Sequence, residues 1–521
     1  MNKIRSIISI IFVAFIVSIQ FGFSQIPVPQ KGIDAISAEE MLSHVTYLAS
    51  DEMRGRDTPS PELDKCANYI ANYFRSMGLE FVSNIKDNYQ NFSLLKTRLA
   101  AEQQFSLTIN GVEKIYQIKE DFVPLHLAAN RTITAPVVFA GYGISAPEYK
   151  FDDYESIDAT GKIVLVFTSE PQQKDSTSVF NGIKETDHSK LNDKVLNAIE
   201  HGAVGFIYVT NPNYRFRRPP NAWPSLMKSA PEDAIPLSLG EKEENKIVAV
   251  RIGKQLADDL MSASGKTMEE IHQAIDNDMR PRSMDLPGVT ASISTSLECD
   301  SFRTQNVVAF LEGSDPELKH EIVVIGGHYD HVGARNDTTI YNGADDNASG
   351  TAGVMAVAKA FTNSKKRPLR SILFMCFAGE EKGLFGSRYY TGTNPLFPIE
   401  KTVAMLNMDM ICRNDTSAVI VYGGIRSPDL KAAVTQANEN INLKLDFSDD
   451  NRVGGSDHVP FFRKGIPFLF FNTGMHADYH QPTDTVEKIN SEKMAQIARV
   501  VFASAWQVAN MEEKPELIEL K

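Results

Sequence analysis

The sequence predicts an α/β fold: a mixed, largely parallel sheet flanked by helices, interrupted by a β-rich insert. Three observations point there. From Thr290 onward, near-continuous apolar runs alternate with helical patterns; strands buried on both faces by crossover helices read this way. Between about Phe92 and Leu286 the texture changes to short strands, turns and surface charge. The chain, at 521 residues, exceeds one ordinary core, so several domains are expected.

Residues 1–24 come first. Lys3 and Arg5 precede an apolar stretch from Ile7 to Ile19, and Gly22-Phe23-Ser24 supplies small residues before Gln25. This is the pattern of a cleaved signal peptide. The apolar run, about 13 residues, is short of the roughly 20 that span a bilayer. Export to the periplasm or the exterior is therefore expected, with no stable membrane anchor after cleavage. The four cysteines (Cys66, Cys299, Cys376, Cys412) show no zinc-ribbon spacing. Cys376 and Cys412 sit in apolar runs, and a Cys66–Cys299 bridge is neither required nor excluded.

The N-terminal part of the first domain is expected over 35–91. Ser37-Ala38-Glu39-Glu40 reads as a capping box, followed by Leu42, Val45, Leu48 and Ala49 at helical spacing. A second helix is expected from Pro61 to Met77, closed by Gly78. The insert is expected over 92–286. Its strand candidates are Val137–Ala140, Ile163–Phe167 and Phe206–Val209, with helices near Val195–Glu200, Lys254–Ala263 and Met268–Ile275. The main domain resumes over 289–511. Its strand candidates are Asn306–Leu311, Glu321–Ile325, Ser371–Phe377, Thr402–Met408, Ala418–Tyr422 and Ile466–Phe471. Its helix candidates are Ala352–Thr362, Gly386–Tyr390, Leu430–Asn440 and Ser491–Gln507.

A formal net charge of −13 excludes a basic phosphate-binding surface, so no nucleic-acid partner is expected. Oligomeric state is not legible. The chemistry concentrates in five motifs of the last 200 residues: GGHYDHVG (326–333), GADDNASG (343–350), FAGEE (377–381), LNMDM (406–410) and DYHQPTDT (478–485). Ligand sites of open α/β sheets lie beyond the strands' carboxyl ends, and these motifs follow strands or could pass over that edge.

Each motif has a functional and a plain reading. His328 can ligate a metal while Asp330 accepts its other ring proton; His-x-Asp can also be a polar turn. Of the paired aspartates, one carboxylate can bridge two cations roughly 3.5–4 Å apart; the pair can equally cap a helix. Of Glu380-Glu381, one can bind metal while the other serves as base; both can also sit solvated at a helix start. Asp409 ends an apolar strand, where an unpaired carboxylate is costly. His480 alone would be an ordinary loop residue. His331 and His476 read as bystanders or supports.

Order and spacing of these motifs resemble the secreted dizinc aminopeptidases, the family that includes bacterial leucyl aminopeptidase and glutamate carboxypeptidase. The resemblance runs over Asn306–Gln507, with the helices at 37–78 matching the N-terminal part of that family. It implies a zinc-peptidase fold and two Zn²⁺ ions. His328 and Asp409 would bind one ion, Glu381 and His480 the other, and Asp346 would bridge them. Glu380 would be the general base and Asp330 would orient His328. Tyr479 would hydrogen-bond a tetrahedral oxyanion; Asp457 and His458 match a segment near the substrate. Peptides are the implied substrates. VVFAGYG (137–143), TGKIVLVF (160–167) and AIEHGAVGFIYV (198–209) resemble a protease-associated domain, an insert common in that family. A carboxypeptidase would share the metal ligands but need arginines for a substrate carboxylate; Arg413 and Arg452 are the candidates. A one-zinc glutaminyl cyclase or a non-catalytic peptide-binding protein fits a complete ligand set less well.

Overall fold

A computed structural model describes residues 27–79, 82, 85, 87–100, 102–175, 177–180, 186–212, 237–239, 246–448 and 453–518. The signal-like segment 1–24 and Arg452 lie outside the described residues. No described helix is long and apolar enough to cross a membrane.

Two large sheets carry the fold. The first has nine strands. Its centre is four parallel neighbours in the order Ser371–Phe377, Ile322–His328, Thr402–Met408, Phe468–Asn472. Leu297–Leu311 and Tyr89–Leu99 extend one side antiparallel, and Ala418–Tyr422 pairs antiparallel on the other. The first three central strands are buried at every residue, as crossover helices on both faces require. Alternation sorts their side chains. Val323, Ile325, Ile372, Phe374 and Cys376 enter a core with the helices Ala38–Leu48, Pro61–Ser76, Gly350–Asn363 and Ser491–Asn510. Ile322, Val324, Leu373 and Met375 enter the opposite core with Tyr390, Phe461 and Phe462.

Local chemistry starts the helices where expected, with one difference. Ser37 Oγ accepts from Glu40 N, but the Glu40 carboxylate reaches Tyr73 and Lys359 instead of closing a capping box. Ser60 caps the helix Pro61–Ser76, whose first residue is proline.

The second sheet has eight strands and its own two cores. Arg131–Phe139, Ile163–Phe167, Gly205–Val209 and Val248–Ile252 run parallel at its centre. In chain order its first strand is Gln104–Ile109 and its last is Met284–Thr295, while Val112–Tyr116 forms one edge. Position 92, expected to open the insert, lies inside Tyr89–Leu99, a strand of the first sheet. Eleven paired residues tie that strand to Leu297–Leu311, so the sheets exchange near 100–104 and 295–297. Cys66 and Cys299 are both free thiols, one buried and one exposed.

Candidate metal centre

The central strands end in polar side chains that meet. His328 closes its strand, and Asp409 follows the adjacent strand Thr402–Met408. Glu380 and Glu381 lie in the turn after Ser371–Phe377. Asp346 comes from the turn that opens the helix Gly350–Asn363, and His480 from a loop before Ser491–Asn510. His328 Nε2 lies 3.4 Å from Asp346 Oδ1 and 3.4 Å from Asp409 Oδ1. His480 Nε2 lies 3.1 Å from Asp346 Oδ2 and 3.0 Å from Glu381 Oε2. The two oxygens of Asp346 thus face two different sets of groups.

Two clusters have ligand atoms within 4.8 Å of one another: His328, Glu380 and Asp409, and His331, Asp346, Glu381 and His480. Asp409 Oδ1 and His480 Nε2 are buried without a hydrogen-bond partner. Such atoms, facing other lone pairs, are costly in a protein interior unless a cation lies between them. Imidazole nitrogens with carboxylate oxygens suit zinc, so the residues present fit that ion.

Burial and neighbouring charge set the protonation of these groups. Burial pushes the Glu380 carboxyl well above its ordinary range, against the pull of His328. Burial also raises Asp346. For His328, burial opposes the charged ring, but Asp409 and Glu380 outweigh it and hold the proton well above the ordinary value. The adjoining carboxylates of Asp346 and Glu381 raise His480 to about 10. Glu381 moves down: burial would raise it, yet His331 and His480 prevail.

Asp330 holds the site differently from expectation. The His328 Nδ1 donates to the Asp330 backbone carbonyl at 3.2 Å, while the carboxylate is 3.6 Å away. That carboxylate accepts instead from Glu380 N and Thr58 Oγ1, joining the Glu380 turn to the His328 turn. Tyr479 stacks on His480, ring centroids 3.9 Å apart. Asp457 is buried and accepts from Ser387 Oγ at 2.6 Å; burial raises it to about 7. His458 is sandwiched by Phe468 and Phe470.

The adjacent aspartates divide the work. Asp345 is satisfied by the chain: Cys412 N and Sγ and Ser349 Oγ donate to it, and His476 Nε2 lies 3.1 Å away. Asp484, from the last motif, accepts from Asp345 N and Asp346 N and so fixes the bridging turn. Gly343 must be glycine: at φ +58° an added Cβ would lie 2.1 Å from Asp346 O and 2.5 Å from the His331 ring.

Sequence reasoning missed Arg56. Its fully buried guanidinium donates to the carbonyls of Tyr329, Leu48, Asn342 and Gly343. It therefore straps together the turns that carry His328 and Asp346. Only the charged RGRD stretch hinted at it, and charge alone reads as solvent-facing.

Residues 306–505 match Peptidase family M28, and residues 133–260 match the PA domain. Over the first of these stretches the chain is similar to family M28, and over the second to the PA domain. The M28 match contains all six ligand and base candidates from His328 to His480, and the PA match falls within the second sheet's span. Aminopeptidase YwaD of Bacillus subtilis is 27% identical over 226 residues, 42% of this chain and 47% of that protein. A probable leucine aminopeptidase of Trichophyton verrucosum is 29% identical over 207 residues, 37% of this chain and 56% of that protein. The match thus spans about half the length of these relatives. An aminopeptidase from Aneurinibacillus sp. strain AM-1 aligns over 94% of this chain and 98% of its own, at 24% identity and TM-score 0.48.

Proposed function

We propose that this chain is a zinc-dependent aminopeptidase of family M28 with two Zn²⁺ ions. The observation that carries the reading is Asp346, whose Oδ1 faces His328 and whose Oδ2 faces His480. His328 and Asp409 would hold one ion, Glu381 and His480 the other, with Asp346 between them. When bound, such ions polarise the scissile carbonyl and acidify the attacking water.

The chain's own groups supply the rest. Glu380, buried and adjoining His328 and Asp409, takes the water's proton and delivers it to the leaving amine. Its backbone N–H on Asp330 keeps it in register with His328. Tyr479, held by its stack on His480, donates its hydroxyl to the tetrahedral oxyanion. The acidic cluster attracts a substrate's free α-amine. Names of the relatives support the aminopeptidase reading. A carboxypeptidase would need an arginine for the substrate carboxylate, and Arg413 is engaged by Asp478 at 2.6 Å and Asp484 at 3.5 Å. The 1–24 segment supports export, followed by action on peptides in the periplasm or outside.

The test is a panel of aminoacyl-anilides and peptides, free and N-acetylated, with zinc supplied. Cleavage that requires the free amine is expected. Hydrolysis of N-acetylated peptides from the carboxyl end would refute the reading.

A further inference from the structure

His331 is one residue beyond Asp330 in the first motif and has no part in the scheme above. It is completely buried. Its Nδ1 lies 2.7 Å from Glu381 Oε1 and 3.8 Å from Asp346 Oδ2. Because a carboxylate oxygen only accepts, the close contact places the proton on Nδ1. Nε2 is buried with no hydrogen-bond partner. The ring is fixed on three sides. Its own backbone N–H donates to Arg56 O, Gly343 lies against it, and its edge meets the His480 ring at 5.4 Å and 76°.

From this geometry we infer that His331 is a positioning residue for the second ion. It occupies Glu381 Oε1 and leaves Oε2, the oxygen 3.0 Å from His480 Nε2, as the one free for metal. A carboxylate so held enters the site with a single oxygen, and its rotation is already frozen before the ion arrives. Glu381, with two oxygens of equal basicity, gives no such choice by itself. The inference rests on the two-zinc reading. The usual partners of metal ligands contribute about 10–100-fold in affinity, and His331 has the burial and the short contact of such a partner.

Zinc retention is measured by dialysis of the full chain against graded chelator, with metal content by mass spectrometry. Two substitutions are compared: His331→Ala, which removes the donor, and His331→Asn, whose amide can still donate to Glu381. In H331A one of two ions is expected to leave at about 10–100-fold weaker competition, while H331N retains it close to the unmutated protein. Thermal melting of the metal-free proteins is recorded alongside. Equal retention in H331A and the unmutated chain would overturn the inference. So would equal loss in both variants, which marks a metal ligand or, with a matching fall in metal-free melting temperature, a packing residue. If the unmutated protein itself takes up one ion, the two-zinc reading fails and the inference with it, a failure visible before any substitution is made.

Discussion

The nine-stranded sheet and the eight-stranded sheet are built alike. Both have a parallel centre, and both bury side chains on two faces. They differ in what their buried charges face. In the insert, Glu170 accepts from the backbone N–H and the hydroxyl of Thr186, and Asp153 accepts from Tyr142 N and Ile144 N. Those carboxylates stitch turns to the sheet. In the M28 region, Asp346, Asp409 and Glu381 face imidazoles and one another, and Asp409 Oδ1 accepts no hydrogen bond from the described residues. Among the described residues, both metal-competent clusters belong to this region. A buried acid answered by its own chain is architecture, whereas an acid answered only by other ligands is a site. Asp345 and Asp346 show that the distinction can fall between neighbours.

Removing the acid between the clusters is the harshest way to break the comparison. Asp346→Ala should eliminate tight binding of both ions and all measurable hydrolysis, read by metal analysis and anilide assay. Glu380→Gln should lower kcat by about 10²- to 10⁴-fold while leaving the zinc content unchanged; full activity in that variant would remove Glu380 as the base. Next comes the strap. Arg56→Met leaves four buried carbonyls without their donor, and a loss of about 3–5 kcal/mol is expected in chemical denaturation, together with weaker zinc retention.

A pH prediction sits far from the metal centre. Burial holds His44 down to about 4, while an unfolded histidine titrates near 6.5. The unfolded chain therefore binds more protons between these values, and stability falls as pH drops from about 6.5 to about 4. At about 1.4 kcal/mol per unit, the loss is roughly 3 kcal/mol. Unfolding of the unmutated protein and of His44→Gln should show that gap closing over this window; a constant gap would mean that folding does not shift the titration of His44. The smallest effect belongs to the insert. Glu170→Gln should cost about 1–2 kcal/mol and leave hydrolysis unaltered.

Much of this was legible because the central strands announce themselves. Ser371–Phe377, Thr402–Met408 and Ala418–Tyr422 have the bounds their apolar runs predict. The fold class and the M28 and PA resemblances could be read for the same reason: chemistry follows each run at a fixed place. The insert's edge was not. Tyr89–Leu99 alternates like the strands of the insert, and only pairing with residues some 200 positions later assigns it to the other sheet. Nor could the sequence expose Arg56 and His331. Each is polar and sits in a turn, and its burial is created by elements distant in the chain.

Zinc stoichiometry tests the central claim most directly. The chain, saturated and then freed of loosely held metal, should retain two ions, and the Asp346→Ala variant should retain neither tightly. Retention of a single ion by the unmutated protein, or of both ions without Asp346, would contradict a bridged two-metal site.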